Sequence, residues 1–444
     1  MIKNYLILAL KVLRRKPFYT FISLFGISFT LMILMLITSM GDALFGANQP
    51  VTELDKLVYN PFIERYIEFY DTTWTVDTIP MDNGELRFDS VQNVESTGNV
   101  NNSSGPMSYH FLTEHMSDFE DVAAQTFFSD GSFVDAFLDG RKVTLSTYYV
   151  DAGYWDVFDF GFLHGDPFGP DDVEQANKVA VITDRAATNY FGEVSESVLG
   201  QEMVLGDQTY RVVGVVARPL KEDKSVSGDI FLPVTTTDPR QLASTKLYGA
   251  FQAVYKATAP GKRESIKSQI DFFAENFQMP AEETDFENIR FFPGTAMEMF
   301  AGQTVRERDY DKAMLMLFIP MVVLLLLFLA LPLLNLINLN VSRVYERRAE
   351  IAVRKAFGAD SRDILYQFIL ENLVITFIGG AVGMLLAVGV IHYVNANDLL
   401  GIARLSFSPV IFGYFLLVIL LFGLLSGLLP AYRMSRTNIG PALR

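Results

Sequence analysis

Four runs of apolar residues decide most of what this 444-residue chain can fold into. Crossing a hydrocarbon core of about 30 Å takes roughly 20 apolar residues in a helix, because backbone without internal hydrogen bonds cannot survive in lipid. The runs are Thr20 to Met40, Ala313 to Asn335, Ile369 to Val394 and Val410 to Leu429. None contains Lys, Arg or Asp, and Glu371 stands at the entrance of the third. The first run competes with a cleaved signal peptide, since Lys11, Arg14, Arg15 and Lys16 precede it and Ser39-Met40-Gly41 has the small-x-small pattern. Its length favours an anchor.

Charge divides the chain in the same places. Residues 42–311 hold 45 Asp/Glu against 20 Lys/Arg, a net of −25, and the remainder makes up the difference to the overall −15 with a net of +10. This pattern predicts an acidic soluble block inserted into a basic membrane block. Cysteine is absent, so the soluble block must be stabilised by apolar burial alone. Orientation follows from Lys and Arg in the short loops. Lys3, Lys11, Arg14, Arg15 and Lys16 precede the first run; Arg343, Arg347, Arg348, Arg354, Lys355 and Arg362 lie between the second and third; Arg433, Arg436 and Arg444 end the chain. The loop between the third and fourth has only Arg404. Both termini are therefore expected in the cytoplasm, with the acidic block outside.

The expected organisation is an amphipathic surface helix over residues 1–17, a first transmembrane helix over 18–41 and an α+β outer domain over 42–311. A second transmembrane helix follows over 312–340, a cytoplasmic helix and turn over 341–367 and a third transmembrane helix over 368–394. A short outer loop over 395–409, a fourth transmembrane helix over 410–430 and a cytoplasmic tail over 431–444 complete it. In the outer domain, Lys178 to Thr183 and Gln208 to Ala217 read as strands. Asp184 to Phe191 reads as a helix capped by Thr183 or Asp184 and stopped at Gly192. Asp42 to Tyr59 and Thr295 to Ala313 look helical, and are expected to extend the first two spans outward as a stalk. Gly379-x-x-x-Gly383 and Gly423-x-x-x-Gly427 permit close helix approach, either within one subunit or between subunits.

Signals for chemistry are sparse. His110 and His115 are five apart with no carboxylate pattern beside them, so no metal site is expected. Asp118-Phe-Glu-Asp121 and Asp171-Asp172 lack a calcium-loop pattern. Pro260-Gly261-Lys262-Arg263 lacks the upstream glycine and the following Ser/Thr of a phosphate loop. The reading is therefore of no catalytic residue, no bound cofactor or metal and no nucleic-acid partner, with any ATP bound by a partner subunit.

The segment after the second run is specific: Val344-Tyr-Glu-Arg-Arg-Ala-Glu-Ile-Ala-Val-Arg-Lys-Ala-Phe-Gly-Ala359. It resembles the R-x-x-E-I-[AG]-x-[LMR]-[RK]-A-[LMI]-G-[AS] hallmark of the FtsX/MacB permeases, membrane subunits of type VII (mechanotransmission) ABC transporters. Ala9 to Phe18 is similar to that family's elbow helix. Pro430 to Arg444 is similar to its ending, with Ser435 and Gly440-Pro441 slightly out of position. Tyr154 to Phe158, Val181 to Gly192, Leu199 to Gln201 and Tyr210 to Val216 look like the MacB-type periplasmic core, and the region between about Tyr59 and Ser146 matches least.

The resemblance implies a multi-pass inner-membrane protein of bacteria that docks a cytoplasmic ABC ATPase dimer and pairs with a second permease copy or a sister permease. A periplasmic adaptor, an outer-membrane channel and membrane lipid are further partners in that setting. Arg347, Glu350, Ile351, Arg354, Lys355, Ala356, Phe357 and Gly358 would form the ATPase-coupling site. Local physics agrees with such a role: Glu350 and Arg354 pair at i,i+4, Gly358 can end the helix in αL, and the apolar positions can enter a partner groove. The implied activity is export of a peptide, antimicrobial or lipid-like molecule, or other work on the outer side. The alternative from another class is a membrane-anchored sensor or scaffold that has no ATPase.

Overall fold

The computed structural model describes residues 17–81, 86–129, 131–138, 141–219, 225–280, 286–346, 353, 361–397, 399–400 and 405–435. The chain divides into a helical unit formed by residues 1–46 and 314–444 and an outer unit formed by residues 47–313.

In the helical unit, α1 runs from Pro17 to Phe45. Three further helices, numbered below after those of the outer unit, complete it. Among the described residues, three helices are long and apolar enough to cross a membrane: Thr20–Ala43, Tyr310–Phe328 and Leu373–Ala396. The apolar stretch Pro409–Leu421 is shorter, within a helix that continues to Ser435.

The outer unit contains thirteen strands among the described residues, in two sheets. They are β1 (Leu57–Asn60), β2 (Ile63–Pro80), β3 (Leu86–Gly105), β4 (Val122–Ser129), β5 (Ser132–Leu138), β6 (Arg141–Val150), β7 (Phe162–Gly165), β8 (Val179–Thr183), β9 (Glu202–Leu205), β10 (Gln208–Val216), β11 (Ile230–Pro233), β12 (Phe251–Ala257) and β13 (Asn288–Phe291). The larger sheet has the order β1-β12-β4-β6-β11-β8-β10-β7, with β5 beside β6 and β9 beside β10. Most of its pairs are antiparallel, but β8/β10 and β6/β11 are parallel. Its faces are covered by helices and loops, and the buried rings of Phe128, Tyr154, Phe158 and Phe231 fill one core cluster.

Among the described residues, the helices of the outer unit with seven residues or more are α2 (Tyr109–His115), α3 (Asp184–Phe191), α4 (Arg263–Asn276) and α5 (Ala296–Val305). Helix α6 (Tyr310–Glu346) begins within the outer unit's residues and continues into the helical unit, which α7 (Ser361–Ala396) and α8 (Pro409–Ser435) complete. The β8–α3 unit forms as its residues dictate. All five residues of β8 are buried, which suits the continuous apolar run of a strand covered on both faces. The Thr183 hydroxyl accepts the Ala186 N–H at 3.2 Å, and Gly192 closes α3 at φ 82°.

The second sheet departs from expectation. β2 and β3 form one antiparallel ribbon from Ile63↔Gly105 to Pro80↔Leu86, while β13 supports only Ile63 to Tyr66. Beyond Tyr66 the ribbon is two strands wide and exposes Phe69, Tyr70, Trp74, Val76 and Val94.

The helical stalk is corrected on both sides. After α1 the chain makes an Asn48–Val51 bridge around Pro50, and Leu57–Asn60 is a strand paired with β12. Proline interrupts the helix, and the fully buried Leu57, Val58 and Tyr59 gain more from a sheet than from an exposed stalk. On the other side, Thr295 and Glu298 form the capping box that starts α5. That helix then ends at Arg306, which adopts φ 57°, ψ 40°. A new helix begins at Tyr310, where Asp309 accepts the Lys312 N–H.

Candidate functional site

Two places in the described structure carry features of use: the contact between spans and the part of the second sheet where β13 pairs with β2.

In the helical unit α7 packs on α1 and α8, around Ile27, Leu31, Met35, Ile375, Ala387, Phe412 and Ile419. The absence of side chains lets the backbones approach. A Cβ on Gly379 would meet Ile27 Cγ2 at 2.8 Å, one on Gly380 would meet Leu416 Cδ1 at 2.6 Å, and one on Gly383 would meet the Ser28 carbonyl oxygen at 2.9 Å. The Ser28 hydroxyl donates to the Gly379 carbonyl at 2.9 Å across this contact. Gly379 and Gly383 therefore face the first span of the same chain. Gly423 and Gly427 lie on α8, and their surroundings lie outside the described residues, as do Arg347, Glu350, Ile351, Arg354, Lys355, Ala356, Phe357 and Gly358. At the outer end of the bundle, Ser39 donates to the Ser406 carbonyl at 2.7 Å and Ser406 to Asp42 at 2.8 Å, while the Asn395 side chain bonds both backbone groups of Leu405.

In the outer unit, ionic groups are mostly tied into the fold. Asp229 is buried and accepts from the Arg185 guanidinium, the Ser146 backbone N–H and the Ser146 hydroxyl, joining α3, β6 and β11. Asp151 accepts from the Thr126 hydroxyl at 2.6 Å and the Phe127 N–H at 2.7 Å. Burial outweighs those bonds and pushes its carboxyl up to about 6. Glu53 is held at about 2, chiefly by its hydrogen bond with Lys256 and next by that with Lys56. His115 packs among the rings of Phe111, Phe273 and Phe277. Among the described residues no three His, Asp or Glu side chains are grouped to hold a metal.

Sequence reasoning missed one cluster. Glu64, fully buried on β2, is paired with Arg290 of β13 and with Arg308 in the turn before α6. The partners lie 226 and 244 positions away, so no local pattern announces them. Phe292 lies under both guanidiniums, 5.6 Å from Arg290 and 5.6 Å from Arg308, and packs on Phe62 at 5.5 Å.

Apolar helices able to cross a membrane and a large sheet-rich domain inserted after the first define a multi-pass protein of the permease type. The match to known families is direct. The model described as the MacB-like periplasmic core domain covers residues 20–271, and that described as the FtsX-like permease C-terminal region covers residues 322–439. The chain belongs to the FtsX/MacB-like family of ABC-transporter permeases.

Among its relatives is the macrolide export ATP-binding/permease protein MacB of Sodalis glossinidius (strain morsitans), 28% identical over 303 residues, covering 66% of this chain and 42% of that protein. The pyoverdine export ATP-binding/permease protein PvdT of Pseudomonas syringae pv. syringae (strain B728a) is 27% identical over 296 residues, with the same two coverages. The chain thus spans about two fifths of the length of these relatives. Among solved structures, the periplasmic region of MacB from Actinobacillus actinomycetemcomitans aligns with TM-score 0.33 and 18% identity, over 46% of this chain and 84% of that one. A domain of a permease protein from Porphyromonas gingivalis aligns with TM-score 0.37 and 13% identity, over 54% and 90%.

Proposed function

We propose that this chain is the membrane subunit of an ABC export complex, taking work from a cytoplasmic ATPase at the 341–367 segment and spending it on the outer side of the membrane. The observation that carries this reading is the FtsX-like match over residues 322–439, which contains the whole Arg347 to Gly358 motif. Four spans with both termini in the cytoplasm fit the distribution of Lys and Arg. ATP is bound by the partner, which acts as a dimer and so calls for a second permease, either this chain or a sister. An adaptor and an outer-membrane channel would complete an export route.

Helix α6 is the element suited to deliver the work. It is continuous from Tyr310 to Glu346, and Tyr310, itself one of the outer unit's residues, donates its hydroxyl to the Phe292 carbonyl at 3.1 Å. The four apolar runs hold no Lys, Arg or Asp that would serve a polar cargo path, which favours handling cargo outside over passage through the bundle. The relatives named for macrolide and pyoverdine export suggest a mid-sized amphiphilic molecule.

The test is co-purification in mild detergent. The Glu350→Lys and Arg354→Glu pair is expected to abolish ATPase association at unchanged membrane insertion. An unaltered complex refutes the docking site. A wild-type chain that never retains an ATPase, even with ATP and a blocked hydrolytic site, favours the sensor or scaffold.

A further inference from the structure

We propose that the outer unit carries a binding site for a monoanionic amphiphile at the turn between α5 and α6, a site independent of whether an ATPase drives the chain. A cavity of about 290 Å³ opens there, near the lower limit of pockets that hold small organic ligands. Phe62, Phe292, Met299 and Tyr310 form its apolar wall, and Arg306 and Arg308 its charged rim.

Charge identifies the ligand. The outer block is strongly acidic, yet here two guanidiniums, Arg290 and Arg308, surround the single buried carboxylate of Glu64. One positive charge is left in excess. Glu307, the acid on the rim, already accepts the backbone N–H groups of Arg308 at 2.9 Å and Asp309 at 3.2 Å. Asp309 is paired with Lys312 at 2.9 Å. Arg306 offsets the charge that Glu307 keeps, so the rim retains one net positive charge.

Backbone geometry supports the same conclusion independently. Arg306 holds a left-handed conformation at the end of α5, where glycine or asparagine would fit without strain. A strained residue retained at the mouth of a cavity indicates a demand on its side chain. The wall explains the tail: the rings of Phe62, Phe292 and Tyr310 and the side chain of Met299 offer an apolar lining beside the arginines. The chemistry is one carboxylate or phosphate on an acyl or aromatic body, supplied either by an outer-leaflet lipid or by a soluble amphiphile.

The full chain in nanodiscs of phosphatidylcholine is titrated with an NBD-labelled dodecanoate and with its uncharged methyl ester. The acid is expected to bind about tenfold more tightly, the factor that one solvent-edge ionic contact of this kind provides. Arg306→Gly relieves the strained backbone, so its melting temperature should hold or rise while the preference for the acid disappears. Gln303→Trp, an exposed position on the cavity wall, should weaken both probes by filling the space. Equal binding of acid and ester by the wild type, or acid binding that survives both variants, overturns the site. Repeating the titration with phosphatidylglycerol in the disc separates the two sources: displacement of the probe supports the site with a leaflet lipid as occupant, and retention supports it with a soluble one.

Discussion

Single carboxylates report on how the outer unit is held together. Asp151 is buried among β4 and the turn at Tyr154, and its folded pKa of about 6 stands above the 3.8 of an unperturbed Asp. In the interval between those values the folded chain holds more protons than the unfolded one, so stability falls as pH rises from about 4 to about 6 and is flat above. The size is about 3 kcal/mol for a shift of this extent. Glu53 acts in the opposite sense below about pH 4.5, where its bonds to Lys256 and Lys56 are lost on protonation. Asp151→Asn should therefore remove part of the decline: melting curves of wild type and variant, compared between pH 4 and pH 6.5, should converge at the acid end and diverge in favour of the variant at the other. Parallel curves would show that Asp151 is ionised throughout.

Elements differ in how much of them the sequence displays. The β8–α3 unit is legible because every determinant is local: a run of buried apolar residues, a Thr183 cap and Gly192 in the left-handed region. The β2–β3 ribbon is not legible. Its second strand reads Asn-Val-Glu-Ser-Thr-Gly-Asn-Val-Asn-Asn-Ser-Ser-Gly, a polar string without alternation, because neither face is buried and nothing selects for a pattern. The stalk was misjudged for a related reason, since Leu57 to Asn60 is made a strand by β12, about 200 positions away. The ribbon's independence has a consequence for engineering. An isolated two-stranded hairpin is marginally stable, and the core clusters resume only at Ile63 and Met107. Replacing residues 69–99 with a two-residue Asn-Gly turn, which joins the paired Glu68 and Val100, should leave the melting temperature within about 3 °C, as expected where less than about 1 kcal/mol is lost. A fall of more than about 10 °C, well beyond that scale, would mean the ribbon supports the core. Among the spans, Gly379→Leu should cost at least about 2 kcal/mol through overpacking against Ile27. Gly389→Leu, with nothing within 4 Å, is the matched control. Yields of folded protein in detergent provide the comparison.

At the scale of the whole molecule, composition and motifs settled more than at either smaller one. The acidic block lies between basic membrane segments, and both family matches fall on the regions from which the resemblance was read. The expected fourth span, Val410 to Leu429, falls within the 27-residue helix α8. Topology is open to a clean experiment because the chain has no cysteine. A single cysteine at Glu196, exposed in the outer unit, should react with an impermeant maleimide in intact spheroplasts, and one at Arg354 only after lysis. Reaction of both from the outside would put them on one side of the membrane and overturn the proposed arrangement. The ribbon has a last implication here. At roughly 3.3 Å per residue, the stretch from Tyr66 to Pro80 extends about 45 Å from its anchor. The longest exposed surface of the outer unit, with its aromatic rings and acidic side chains, is thus offered by a segment whose pairing partner is only the other strand of the same ribbon.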